Sequence, residues 1–263
     1  MVTLGLFDKV PLWGVFLLTL VLVLGGIEIG FRLGRFRGRR GEDAAKESIG
    51  AAVGAVLGLL AFMLAFTFSI AAGRFDARKG LLLDEVNAIG TAWLRAGLLP
   101  EPHRTEAQRL FRDYVDLRVE LSRHPERVEA LVARADSIQG RLWSHAVALA
   151  QVDRSSEVYA LFTESLNTVF DLQTSRVTVS LQYRIPSAIW AMLGLLTAVS
   201  MLAVGYQFGV SGRRTAASAV VLAVAFSAVI LLVADLDRGA VGKIRVNQAP
   251  LLILQQKLHA GTP

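Results

Sequence analysis

Cysteine is absent from this 263-residue chain, and with it disulfides, Cys-ligated zinc and thiol catalysis. Histidine is scarce: His103, His124, His145 and His259 are scattered and lack ligand spacing. The signatures of common chemistries are missing too. There is no P-loop, no GxSxG, no HExxH, and no GxGxxG after a strand. No catalytic residue, metal site or cofactor is therefore assigned, and an enzyme is not the expectation. His145, beside Trp143 on an amphipathic stretch, reads as a core or interface residue.

An even spread of charge is also lacking. Charged residues make up 19% of the chain and are strongly clustered, while 53% is hydrophobic. The mean hydropathy of +0.48 is too high for an ordinary soluble protein of this length. Membrane spans joined to a charged extramembrane part fit that pattern. The net charge of +6 comes from a few short juxtamembrane segments without aromatic interleaving, so no nucleic-acid partner is expected.

Four apolar runs are long enough to span a bilayer: Pro11–Phe31, about Ile49–Gly73, about Ser187–Phe208, and about Ala216–Ala234. The first is not a typical signal peptide, because its basic cluster follows the apolar run and no A-x-A site appears. Glu28, its one ionisable residue, is placed for an i,i+4 pair with Arg32. Trp190 and Tyr206 lie near the ends of the third run, where interfacial anchors belong. The first loop carries Arg35, Arg37, Arg39 and Arg40, and the third carries Arg213 and Arg214. The positive-inside rule places both loops in the cytoplasm, and both termini with the middle region on the other side.

The second run opens with GxxxG steps at Gly50, Gly54 and Gly58, which favour close packing against other helices, within or between subunits. Its apolar stretch then turns charged without a helix breaker, and Phe75, Leu82, Val86, Ile89 and Trp93 continue a one-sided stripe. One long helix is expected, lipid-embedded in its first half and water-facing in its second. Three more helices follow. One starts near Arg104 with Ala107, Leu110, Tyr114, Leu117 and Leu121 on a face; one follows Pro125 with Val128, Leu131, Ala135, Ile138 and Leu142. The last starts at Ser155 or Ser156 with Val158, Leu161, Val169 and Leu172, and reads on towards Arg184.

The expected fold is an all-α membrane protein: four transmembrane helices with an extramembrane helical bundle inserted between helices 2 and 3. Residues 1–73 hold helices 1 and 2, residues 74–184 the bundle, residues 185–235 helices 3 and 4, and residues 236–263 a C-terminal tail. Arg74 leaves the membrane on the same face as Asp235 and Asp237. An ion at the hydrocarbon edge needs a partner, so Arg74 is expected to pair with Asp235 or Asp237.

The series Leu64-Ala65-Phe66, Arg74-Phe75 and Asp76-Ala77-Arg78 resembles the second helix of bestrophins. The whole chain is similar to the bacterial bestrophin-like domain proteins, and the segment ADLDRGAVG after the fourth span resembles the acidic, Gly-containing segment found there in bestrophins. The resemblance implies a homo-oligomer, a pentamer, in the inner (plasma) membrane, passing small anions such as chloride through a pore lined by helix 2. It also implies an apolar neck of positions four apart, here Phe66, Phe62 and Gly58, the last standing where the family has a bulky apolar residue. Bestrophins have the bundle inside the cell, against the vote of the basic loops. The partners implied are the lipid bilayer, further copies of this chain and small ions. A reading from another class stays open: a non-conducting membrane scaffold or sensor whose bundle binds a partner.

Overall fold

The computed structural model describes residues 10–37, 43–212, 216–239 and 242–261. Those residues are mostly helical and contain no strand. The order is α1 (Leu12–Arg37), α2 (Asp43–Ala96), α3 (His103–Arg123), a 3-10 turn (Pro125–Arg127), α4 (Val128–Val152), α5 (Glu157–Leu181), α6 (Ser187–Ser211), α7 (Ala216–Asp237) and α8 (Ala249–Ala260). Four of them are long and apolar enough to cross a membrane: α1, the Ile49–Ala96 stretch of α2, α6 and α7.

With 54 residues, α2 is about 80 Å long at ~1.5 Å per residue. It contains no proline, and Gly73 does not break it, since one glycine costs only about 1 kcal/mol in a helix interior. It stops at Gly97, whose N–H bonds back to the carbonyls of Trp93 and Leu94, three residues before Pro100.

By contacts the chain divides into two units. The first comprises residues up to Arg74 together with Arg184–Ile244, and here α1 packs against α6 and α7. The α1–α6 seam is built on glycine. A methyl group placed on Gly30 would lie 2.0 Å from the Leu202 carbonyl oxygen, and one on Gly205 would lie 2.0 Å from that of Ile27. Gly34 and Gly209 are nearly as tight against the carbonyls of Tyr206 and Phe31. Such approach lets backbones touch in lipid, where apolar burial supplies no drive between helices. Within the single chain this close packing is made at that seam and not at Gly50, Gly54 and Gly58: Gly54 and Gly58 face open space, and Gly50 meets only the Gln207 side chain. Two buried threonine hydroxyls bond back within their own helices, Thr19 donating to the Val15 carbonyl at 2.9 Å and Thr197 to the Leu193 carbonyl at 2.7 Å.

Two details of this unit differ from expectation and a third meets it. Arg35 and Arg37 extend α1 as helix rather than forming a loop, while Arg39, Arg40, Arg213 and Arg214 lie outside the described residues. Trp190 is buried, not an exposed interfacial anchor. Glu28 does pair with Arg32, Oε1 to Nε at 2.8 Å.

The second unit comprises Phe75–Tyr183 and Arg245–Pro263. Its core gathers large side chains, among them Leu82, Ile89, Phe111, Tyr114, Leu131, Leu142, Phe162 and Leu166. On α3 the buried face is broader than a single stripe, with Phe111, Val115 and Val119 added, because α3 packs on both α4 and α8. On α5 the face is turned from the expected one. Phe162, Leu166, Val169 and Gln173 point inward, while Val158 and Leu161 are exposed. A buried glutamine disguised that register in the sequence. The C-terminal segment is more than a tail: α8 buries Leu251, Leu254 and Leu258 in this core, and Gln255 and His259 reach Asp116 of α3 at 2.7 and 2.9 Å.

Candidate functional site

Within the first unit, α2 has two unlike faces. Val53, Leu60, Leu64, Thr67 and Ala71 are buried, with Thr67 donating to the Met63 carbonyl at 2.7 Å. Gly58, Phe62 and Phe66 lie on the other face, one helical turn apart. Phe62 is 65% exposed and Phe66 51% exposed in the single chain. Gly58 has no neighbour within reach of an added methyl. The two rings and the glycine thus form one stripe that no other part of the first unit covers.

The second feature lies where α7 ends. Asp237 is buried, and its Oδ1 accepts from the Ile185 backbone N–H at 2.9 Å and faces Arg74 Nη1 at 3.4 Å. Arg184 Nη1 donates to the Asp237 carbonyl at 2.6 Å. Asp235, also buried, turns to the chain beyond α7 instead, accepting from the backbone N–H groups of Lys243 (2.7 Å) and Ile244 (3.1 Å). Gly242 makes that turn possible, because a methyl there would lie 2.7 Å from both an Asp235 side-chain oxygen and its carbonyl. Arg238 donates to the Val10 carbonyl just ahead of α1. The structure therefore brings Arg74 to Asp237 and not to Asp235. One carboxylate gathers the middle of α2, the approach to α6 and the end of α7, and the other folds the segment that follows.

Sequence reasoning missed a third constellation, inside the second unit. Glu85 is fully buried between Leu82 and Ile89 on the apolar face of α2. Arg118 of α3 faces it with Nε at 3.1 Å from Oε1 and Nη2 at 3.2 Å from Oε2, and Arg176 of α5 donates to Oε2. The Tyr114 hydroxyl lies 3.2 Å from Glu85 Oε1 and 2.7 Å from Gln173 Oε1, so its one proton is shared between two acceptors. Gln173 in turn accepts from Gln139 at 2.8 Å and donates to Asp136 at 3.0 Å. Burial pushes the Glu85 carboxyl up, but Arg118 and Arg176 together outweigh it and hold the pKa below the ordinary carboxylate value. Burial likewise raises the Tyr114 phenol, which keeps its proton. The available signal was a lone carboxylate in an apolar stripe, three residues after one buried leucine and four before a buried isoleucine.

Comparisons with known proteins agree with this architecture. Residues 19–251 match the family model described as Bestrophin-like domain. Two mutant forms of a bacterial bestrophin homolog from Klebsiella pneumoniae superpose with TM-scores of 0.65 and 0.61 at 16% and 18% identity. The matches cover 93% and 94% of this chain and 97% and 99% of theirs. A mutant of another structure, described as a membrane protein, gives a TM-score of 0.62 at 16% identity, over 94% of this chain and 96% of that one. At such identities the likeness establishes the fold. No curated protein matches the sequence.

Proposed function

The chain belongs to the Bestrophin-like domain family, and from that premise we propose that it is a multi-pass membrane channel for small ions, homo-oligomeric, with a central pore lined by α2. The observation that carries this reading is the uncovered stripe of Gly58, Phe62 and Phe66. Copies of the chain arranged around an axis with this face inward stack two rings of phenylalanine about one helical turn apart. Apolar rings at that spacing form a constriction that gates by dewetting. Gly58 contributes no side chain, so the constriction is two rings deep where a bulky residue would make it three. Residues 74–184 then supply the extramembrane bundle, and the inner membrane is the location. By family analogy the oligomer is a pentamer and the permeant ions are small anions such as chloride.

Arg74 and Asp237 have a part in the same reading. Their pairing ties the pore-lining helix to the end of α7. A double-mutant cycle on oligomer stability with Arg74→Ala and Asp237→Ala tests that tie. Coupling beyond additivity supports it; strictly additive losses remove it.

Flux through purified protein in liposomes decides the main proposal, with chloride and potassium followed separately. Wild-type flux that rises in Phe66→Ala and in Phe66→Asp is the expected result. Intact oligomers that conduct in none of the three forms return the chain to the scaffold or sensor class. A periplasm-active reporter fused to the C-terminus fixes which side the bundle occupies.

A further inference from the structure

Two histidines far apart in the chain meet in the second unit. His103 is the first residue of α3, His145 sits on α4, and their Nδ1 atoms are 3.0 Å apart. The rings stand edge to face, with centroids 5.2 Å apart and planes at 84°. The two Nδ1 atoms are at hydrogen-bond distance, so one of them carries a proton that an ion bound by both would displace. Two imidazole nitrogens, each about 2.0–2.1 Å from a tetrahedral ion, lie roughly 3.3 Å from one another. The observed spacing is within a few tenths of an ångström of that.

The surroundings suit a cation ligand set. Arg141 and Glu106 pair with each other at 2.8 Å, so the cation next to the rings carries its own counter-charge. Both histidines are partly exposed, which leaves an entry path. No third His, Cys, Asp or Glu completes a set among the described residues, so water fills the remaining positions, as in an exchangeable site rather than a closed structural one.

We propose that His103 and His145 together bind one divalent transition-metal ion of the zinc class through their Nδ1 atoms, clipping the start of α3 to α4. Imidazole pairs suit zinc, copper and nickel. The site does not depend on the channel reading.

Calorimetric titration of the tag-free full chain with zinc chloride tests this, beside copper(II) paramagnetic resonance. One ion per chain is expected. His103→Ala and His145→Ala should each weaken binding at least ~10-fold, since loss of even an outer partner costs roughly 10–100-fold. The double variant should be no weaker than the single ones, and His124→Ala and His259→Ala should bind as wild type does. The copper spectrum should show two nitrogen ligands in the wild type and one in each single variant. Zinc binding that survives both single substitutions overturns the site. So does a wild-type copper spectrum with fewer than two nitrogens, a measurement that needs no variant to fold.

Discussion

The two units of this chain solve the same packing problem in opposite ways. In the first, α1 and α6 meet through Gly30, Gly34, Gly205 and Gly209, backbone against backbone, and the ion pairs Glu28–Arg32 and Arg74–Asp237 lie towards the edges of the apolar stretches. In the second, the core is filled by large side chains, and a charged cluster sits in its middle with Glu85 fully buried. On the proposed reading, which puts the first unit in lipid and the second in water, the surroundings account for the difference. Lipid gives apolar side chains no reason to leave it, so close contact must come from small residues. Water does give that reason, and the released free energy is large enough to carry a desolvated ion cluster provided its members stay paired.

The largest effect should come from unpairing that cluster. Glu85→Ala leaves Arg118 and Arg176 buried without their carboxylate, an expected loss of about 3–5 kcal/mol, read by thermal or denaturant unfolding in mild detergent. If the loss is under a third of that, water enters this core and the contrast between the units weakens. The pH dependence has a definite sign. The Glu85 pKa is depressed on folding, so its contribution is fully present above the ordinary carboxylate value of 4.5 and fades as pH falls through the lower folded value. Melting temperatures of wild type and Glu85→Gln should therefore converge only below pH ~4.5.

Next comes the glycine seam. Gly205→Ala forces a methyl into the Ile27 carbonyl and should cost about 1–3 kcal/mol or more, whereas Gly54→Ala, with nothing within 4 Å, should cost the single chain nothing and raise its stability by at most about 1 kcal/mol. A weaker oligomer in Gly54→Ala, seen by native mass measurement, would sharpen the comparison by assigning the second glycine series to contacts between copies. Tyr114→Phe removes one shared proton from the buried network and should cost about 0.5–1.5 kcal/mol. Smallest of all is Glu28→Gln. Its pair with Arg32 is solvent-accessible and should be worth at most ~0.5 kcal/mol in thermal unfolding.

Much of this was legible in the amino-acid order. Apolar run length located all four long apolar helices, Ser156 capped α5 as expected by accepting from the Tyr159 N–H, and the absence of proline kept α2 whole. What was not legible depended on partners distant in sequence. GxxxG spacing occurs in both α1 and α2, and nothing local tells which of them seats its glycines on the backbone of α6. Leu251, Leu254 and Leu258 follow a proline in a short segment, and only contact with the second unit's core explains why they are buried. Gln173 broke the apolar stripe of α5 because its partners, Tyr114, Gln139 and Asp136, come from two other helices. At the candidate site, the pairing of Arg74 with an aspartate was anticipated from the cost of an unpartnered ion at the hydrocarbon edge. The choice of Asp237 rested on the Ile185 N–H and on the Lys243 and Ile244 amides that occupy Asp235.

The glycine seam also sets a timetable for synthesis. Gly205 leaves the ribosome 175 residues after Gly30, which at roughly 5–20 residues per second is a delay of some 9–35 s. Through that interval α1 sits in the bilayer with its notched side bare, open to any other small-faced helix that drifts past. A newly made chain is thus most exposed to wrong partnering between the insertion of its first helix and the arrival of its sixth.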